Sequence, residues 1–128
     1  MTPNAQPDGS RYIFFVHNRR RYVRIKAALR FTFAWADGFE VYRTMDVSAG
    51  GARVYQSDKN GRRPAPGTQG ECAFALDGVE LRTVAVVVRH HRDGFAVRFL
   101  QLSQAQERSV VAWVFRQEAL ALSRRIPA

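Results

Sequence analysis

From Arg24 onward the chain alternates. Ile25, Ala27, Leu29, Phe31, Phe33 and Trp35 fall on one parity, and Arg24, Lys26, Arg30 and Thr32 on the other. Side chains two apart share one face of a strand, so this stretch predicts a half-buried strand with its aromatic side in the core. Asp37-Gly38 follows as a hairpin signal. Residues 40–45 predict a second strand, residues 46–51 break it, and residues 52–55 start a third. Asn60-Gly61, Pro64, Pro66, Gly67 and Gly70 predict a long surface loop over 56–70. Residues 71–76 read as a fourth strand, Asp77-Gly78 turns into a long fifth over 79–89, and Asp93-Gly94 into a sixth over 95–100. The period then becomes helical. Ser103 and Gln106 form a capping-box signature, and no Gly or Pro interrupts 104–125. Val110, Val111, Val114, Phe115, Ala119 and Leu122 recur at helical spacing, and Arg124 and Arg125 suit the helix C-terminal dipole. The order predicts a mainly β fold: a small antiparallel six-stranded β-barrel with a C-terminal α-helix at about residues 103–124.

A chain of 128 residues, 46% hydrophobic, is one domain with a real core. That domain is expected over 18–125, behind a flexible N-terminal tail at 1–17 that holds Pro3, Pro7 and Gly9. The apolar patch at 12–16 is short for a signal core, and no run approaches the roughly 20 residues of a membrane helix. A cytoplasmic protein with no membrane insertion is expected. The single Cys72 excludes an internal disulfide and shares parity with Phe74 and Leu76, so it reads as a small buried hydrophobe. His90 and His91 are adjacent and point to opposite faces of a strand, which does not suit one metal. No paired-carboxylate motif is present, and the expectation is not an enzyme.

The net charge of +9 changes the picture, because lysine occurs only at Lys26 and Lys59 and the rest of the positive charge is arginine. A guanidinium fork matches phosphate and guanine edges bidentately, where lysine acts as a point charge. Six basic residues and no acidic one lie from Arg19 to Arg30, and the first half of that run reads as a loop. Inside it, Arg20 and Arg24 form an Arg-x-x-x-Arg pair. Asp46, Ser48 and Gly51, with Gly50 between, form an Asp-x-Ser-x-x-Gly turn that begins 22 residues after Arg24. Together these supply cations for phosphate, planar forks for base edges and a carboxylate for guanine donors or for orienting an arginine. The set suits a small anionic guanine nucleotide.

The two motifs, their order and the following strands and helix resemble the PilZ domain, a bacterial receptor for cyclic di-GMP, over residues 18–120. Phe95-Ala96-Val97-Arg98-Phe99-Leu100 is similar to the last strand of that family, with Ala96 where many members have Gly. The resemblance implies a stand-alone PilZ module whose ligand contacts are Arg19, Arg20, Arg24, Asp46, Ser48, Gly50 and Gly51. Arg19, just before the Arg-x-x-x-Arg pair, implies a stacked ligand dimer, two cyclic di-GMP per chain. Like charges repel along the arginine loop and little apolar surface holds it, so it is expected to be mobile without ligand and to fold onto the barrel when ligand binds, moving the tail and signalling to a downstream effector protein. No metal and no cofactor other than the ligand is expected, and the chain is expected as a monomer or weak dimer. Two other readings stay open: a PilZ-like adaptor that binds no ligand, and a small basic barrel for single-stranded nucleic acid. The second would need aromatics on an exposed face, and Phe31, Phe33 and Trp35 share the core parity instead.

Overall fold

The computed structural model describes residues 23–56 and 61–125. Seven strands, β1 (Ile25–Lys26), β2 (Arg30–Trp35), β3 (Gly38–Val47), β4 (Gly51–Tyr55), β5 (Gln69–Leu76), β6 (Val79–His91) and β7 (Gly94–Phe99), precede one helix, α1 (Gln104–Arg125). Strands β3-β2-β5-β6-β7-β4 are antiparallel neighbours in that order, and β4 pairs back onto β3. Six strands therefore close into a barrel, the architecture that leaves no open sheet edge. The two-residue β1 adds to the end of β3.

Alternation explains the core. Phe31 and Phe33 of β2, Val54 of β4 and Phe95 of β7 have no exposed surface. Phe74 stacks on Phe99 at 5.5 Å, and Tyr42 meets Phe95 edge-on at 5.0 Å. Cys72 lies among them with no exposed surface, and burial pushes its thiol up to about 12. Cys72 is the small buried hydrophobe that its parity predicts.

Three features depart from the sequence reading. First, the predicted opening strand is two strands. Between them the Thr44 hydroxyl donates to the Ala27 carbonyl and accepts from the Leu29 N–H at 2.8 Å, so a side chain satisfies the backbone where the ladder is interrupted. Second, Asp46 and Val47 belong to β3 and not to a turn. Lys26 on one side and Arg53 on the other pair with Asp46 and hold it extended. Third, of the three Asp-Gly pairs among the described residues, only one sits in the turn itself. Asp77 and Gly78 have φ of 50° and 83°, the two left-handed positions of a type I′ hairpin. Gly38 and Gly94 instead open their strands, paired with Trp35 and His91. A Cβ on Gly94 would lie 2.0 Å from the Val54 carbonyl oxygen, so this glycine serves strand approach rather than turn geometry.

The helix start is as predicted. The Gln106 N–H donates to Ser103 Oγ at 3.1 Å, and the Ser103 N–H donates to Gln106 Oε1 at 3.0 Å. Gln106 Nε2 also donates to the Arg82 carbonyl, and Arg116 grips Asp77 at 2.8 Å, so α1 is tied to β6 and to the β5–β6 turn. Val110, Val111 and Val114 are buried as expected, together with Trp113. Phe115, Ala119 and Leu122 are exposed, because the core contact of α1 is confined to its first half. No helix among the described residues is long and apolar enough to cross a membrane.

Candidate functional site

The site grows out of an irregularity in β3. Between Thr44 and Asp46 the register against β4 shifts by one residue, a bulge at Met45. A bulge re-aims the side chains beside it, and here it sets Asp46 opposite Arg53. On the other side of β3, β1 pairs Lys26 with Asp46, which brings the preceding Arg24 within reach. Arg24 Nη1 donates to Asp46 Oδ1 at 2.8 Å, while Arg53 donates to Oδ2 through Nε at 2.7 Å and keeps its Nη2 in ion-pair contact at 2.5 Å. The Asp46 side chain is 4% exposed, and those of Arg24 and Arg53 are 47% and 40% exposed. One buried carboxylate thus steadies two arginines that reach solvent.

Burial works to raise the Asp46 carboxyl, but the bonds from Arg53 and Arg24 outweigh it and hold the group below the usual carboxylate range. A depressed folded-state value stabilises the barrel fully above the unfolded value of about 3.9. That contribution is lost as pH falls through the folded value. Asp46→Asn is therefore expected to lower the melting temperature near neutral pH. The gap to wild type should narrow as pH falls below the unfolded value and through the depressed folded one. A gap of constant size across the acid range would take the ion pair out of this account.

The chain turns next to this clamp. The Ser48 N–H donates to the Gly51 carbonyl at 2.9 Å, and the Gly50 N–H donates to Ser48 Oγ at 3.2 Å. The Gly50 carbonyl accepts from the Phe99 N–H at 3.0 Å, fastening the turn to the end of β7. At Gly51 a Cβ would lie 2.1 Å from the Val97 carbonyl oxygen, so β4 and β7 can approach this closely only at a glycine.

Beside the turn lies an open cleft of about 380 Å³. Arg24, Ser48, Gly50 and Gly51 line it from the motif side, and Arg89 and Arg98 from β6 and β7. A second bulge, between Val87 and Arg89, interrupts the β6–β7 register next to the cleft. No acidic side chain is among its lining residues, which include Ala96. The volume is within the usual range of ligand sites, and the lining suits a ligand with several anionic or acceptor groups.

Five of the seven residues singled out in the sequence, Arg24, Asp46, Ser48, Gly50 and Gly51, are thus brought together. Arg19 and Arg20, like the predicted tail at 1–17, lie outside the described residues. Of the two jobs open to Asp46, ligand acceptor and arginine orienter, both carboxylate oxygens are engaged in the second. Sequence reasoning missed Arg53, Arg89 and Arg98. Arg98 is the one charged residue in the apolar segment 95–100, and that interruption is a signal that could have found it, whereas the places of Arg53 and Arg89 depend on register.

Comparison with known proteins places the chain in context. The sequence profile described as the PilZ domain matches residues 18–116. The PilZ domain of CeSA from a cellulose synthesizing bacterium is 32% identical, with a TM-score of 0.58 over 75% of this chain and 98% of that one. The PilZ domain of YcgR from Escherichia coli, solved with c-di-GMP, is 21% identical, with a TM-score of 0.63 over 84% of this chain and 99% of that one. The Bacillus subtilis inhibitor of motility MotI/DgrA is 20% identical with a TM-score of 0.70, over 80% of this chain and 52% of that one. The chain therefore spans about half the length of MotI/DgrA, and the likeness to that protein and to YcgR is one of fold. No curated protein sequence matches the chain.

Proposed function

The chain belongs to the PilZ domain family, and from that premise we propose that it is a receptor for cyclic di-GMP that passes the signal to a partner protein. The observation that carries this reading is the Arg24–Asp46–Arg53 clamp standing beside an acid-free cleft with Arg89 and Arg98 on its far wall. Cyclic di-GMP has two phosphates and two guanines. Each guanine presents O6 and N7 as neighbouring acceptors, and an arginine fork matches either that edge or a phosphate. Arg24 is held ready by Asp46, and Ser48 can donate to a phosphate or base acceptor. Arg89 and Arg98 extend the cationic wall beyond what one small anion would use. Arg20 and Arg19 complete the set by family resemblance. Bringing that basic segment onto the barrel would change the surface beside the cleft, and a partner would read the change. Cyclic di-GMP is the ligand in this reading, and no cofactor is assigned.

Isothermal titration of cyclic di-GMP, with GTP as control, tests the reading. Binding at about 1 μM or tighter, roughly −8 kcal/mol, is expected, with little heat from GTP. A stoichiometry near two per chain is expected for a stacked dimer, falling toward one in Arg19→Ala. No binding to wild type would leave the fold intact and move the protein to the class of ligand-independent adaptors.

A further inference from the structure

The outer face of β2, β3 and β4 carries an arrangement that folding does not call for. Arg30 on β2 and Arg43 on β3 are direct cross-strand partners, and both are exposed. Like charges placed directly opposite destabilise a sheet pair. Neither arginine takes part in an ion pair among the described residues. Arg43 faces Tyr55 across β4. The outward positions nearby are apolar where a solvated sheet face would be polar: Phe39 is 58%, Val41 47% and Tyr55 43% exposed. A cleft of about 520 Å³ is lined by Arg30, Val41, Arg43 and Tyr55. Its single acidic lining residue, Glu40, is engaged by Arg62 at 3.7 Å.

We propose that this face docks an acidic segment of a partner protein, with a carboxylate between Arg30 and Arg43 and a neighbouring apolar side chain on Val41 and Tyr55. A carboxylate there relieves the repulsion between the two guanidiniums and forms charge-assisted bonds. Arginine and tyrosine beside exposed apolar side chains is the composition of an interface centre. A free phosphate would satisfy the arginines and leave Phe39, Val41 and Tyr55 uncovered, so a peptide chain fits the face better than a small anion. The six closed barrel strands offer this face no free edge for an added strand, so side chains must make the contact. Arg53 of the clamp lies two residues before Tyr55 on the same strand, and the docking face thereby adjoins the ligand cleft. The proposal deepens the receptor reading and rests on it only for the existence of a partner.

The test is an amide-resolved NMR titration of the full chain, without nucleotide, using the synthetic peptide acetyl-Glu-Leu-Glu-Phe-Glu-amide. Shifts are expected at Arg30, Val41, Arg43 and Tyr55 and not at Ser48–Gly51. Affinity is expected to fall at least tenfold in Arg43→Gln and for the peptide with glutamines in place of its glutamates. Because Arg43→Gln removes a repulsion, its melting temperature should equal or exceed that of wild type; a clear drop would make the arginine pair structural and overturn the proposal. Shifts elsewhere, or equal binding of the glutamine peptide, would also overturn it. So would the same shifts produced by inorganic pyrophosphate or a short oligonucleotide, or a self-association abolished by Arg43→Gln. A protein that binds cyclic di-GMP but not the peptide loses only the docking face, and the converse loses only the receptor reading.

Discussion

Gly51→Ala is expected to destabilise the barrel by about 3 kcal/mol or more, whether or not ligand is present. The added Cβ would lie 2.1 Å from the Val97 carbonyl oxygen and 3.2 Å from the Arg98 Cα. Both are backbone atoms of β7, held in the β4–β7 ladder, and they cannot yield without breaking the seam that closes the sheet. Gly38 offers a contrast: a Cβ there would meet only side chains, the movable tip of Arg62 at 2.3 Å and the Trp35 ring at 2.7 Å, and no strand backbone. Gly78 offers another, since a Cβ there meets nothing within 4 Å and only its positive φ resists substitution. Chemical denaturation of the three alanine variants should rank Gly51 as the most damaging by a wide margin. A Gly51→Ala midpoint no lower than that of Gly38→Ala would contradict the closure geometry. The last glycine of the Asp-x-Ser-x-x-Gly motif is thus required by the barrel itself, and lost ligand binding in such a variant would not show that Gly51 touches ligand.

Arg24→Ala should do the reverse. Charge-assisted hydrogen bonds contribute roughly 1.5–3 kcal/mol each. Removing a guanidinium that would make two of them in the proposed complex should weaken cyclic di-GMP binding by at least about 100-fold. The fold should hardly notice. Asp46 keeps its bonds from Arg53, and the Arg24 side chain is half exposed, so its ion pair is screened by solvent and the stability change should stay within about 1 kcal/mol. Titration calorimetry and thermal melts on one preparation read both quantities. Equal affinity in wild type and Arg24→Ala would remove this arginine from the ligand contacts, whereas a large loss of stability would make its role structural.

Much of this was legible in the sequence because it depends on parity and local spacing. Phe31 and Phe33 announce the core face of β2, and Ser103 with Gln106 announces the start of α1. The two motifs are linear and could be found as such. Whatever depends on register could not. Arg53 matters because the Met45 bulge sets it against Asp46, and a one-residue insertion in a ladder leaves no mark on hydrophobic alternation. The same blindness hid Arg89 beside the second bulge. Asp37-Gly38 and Asp93-Gly94 carry a turn signature, yet both glycines open a strand, and Gly94 lies at a close strand approach that only the assembled sheet creates. The helix pattern continued past Val114, although core contact ended there, because periodicity records which face is apolar and not how far the barrel extends beneath it.

Cys72 has a practical consequence. It is the only thiol in the chain, fully buried on β5, and its ionisation is pushed up to about 12. A thiol reagent in neutral buffer meets neither an accessible sulfur nor an appreciable thiolate while the barrel is closed. Labelling of the native protein therefore proceeds only through openings that expose β5, and its rate is an intrinsic clock for those excursions. The same silence leaves the surface free for an introduced cysteine, so a fluorophore or spin label can be placed at one chosen position without first removing a native competitor.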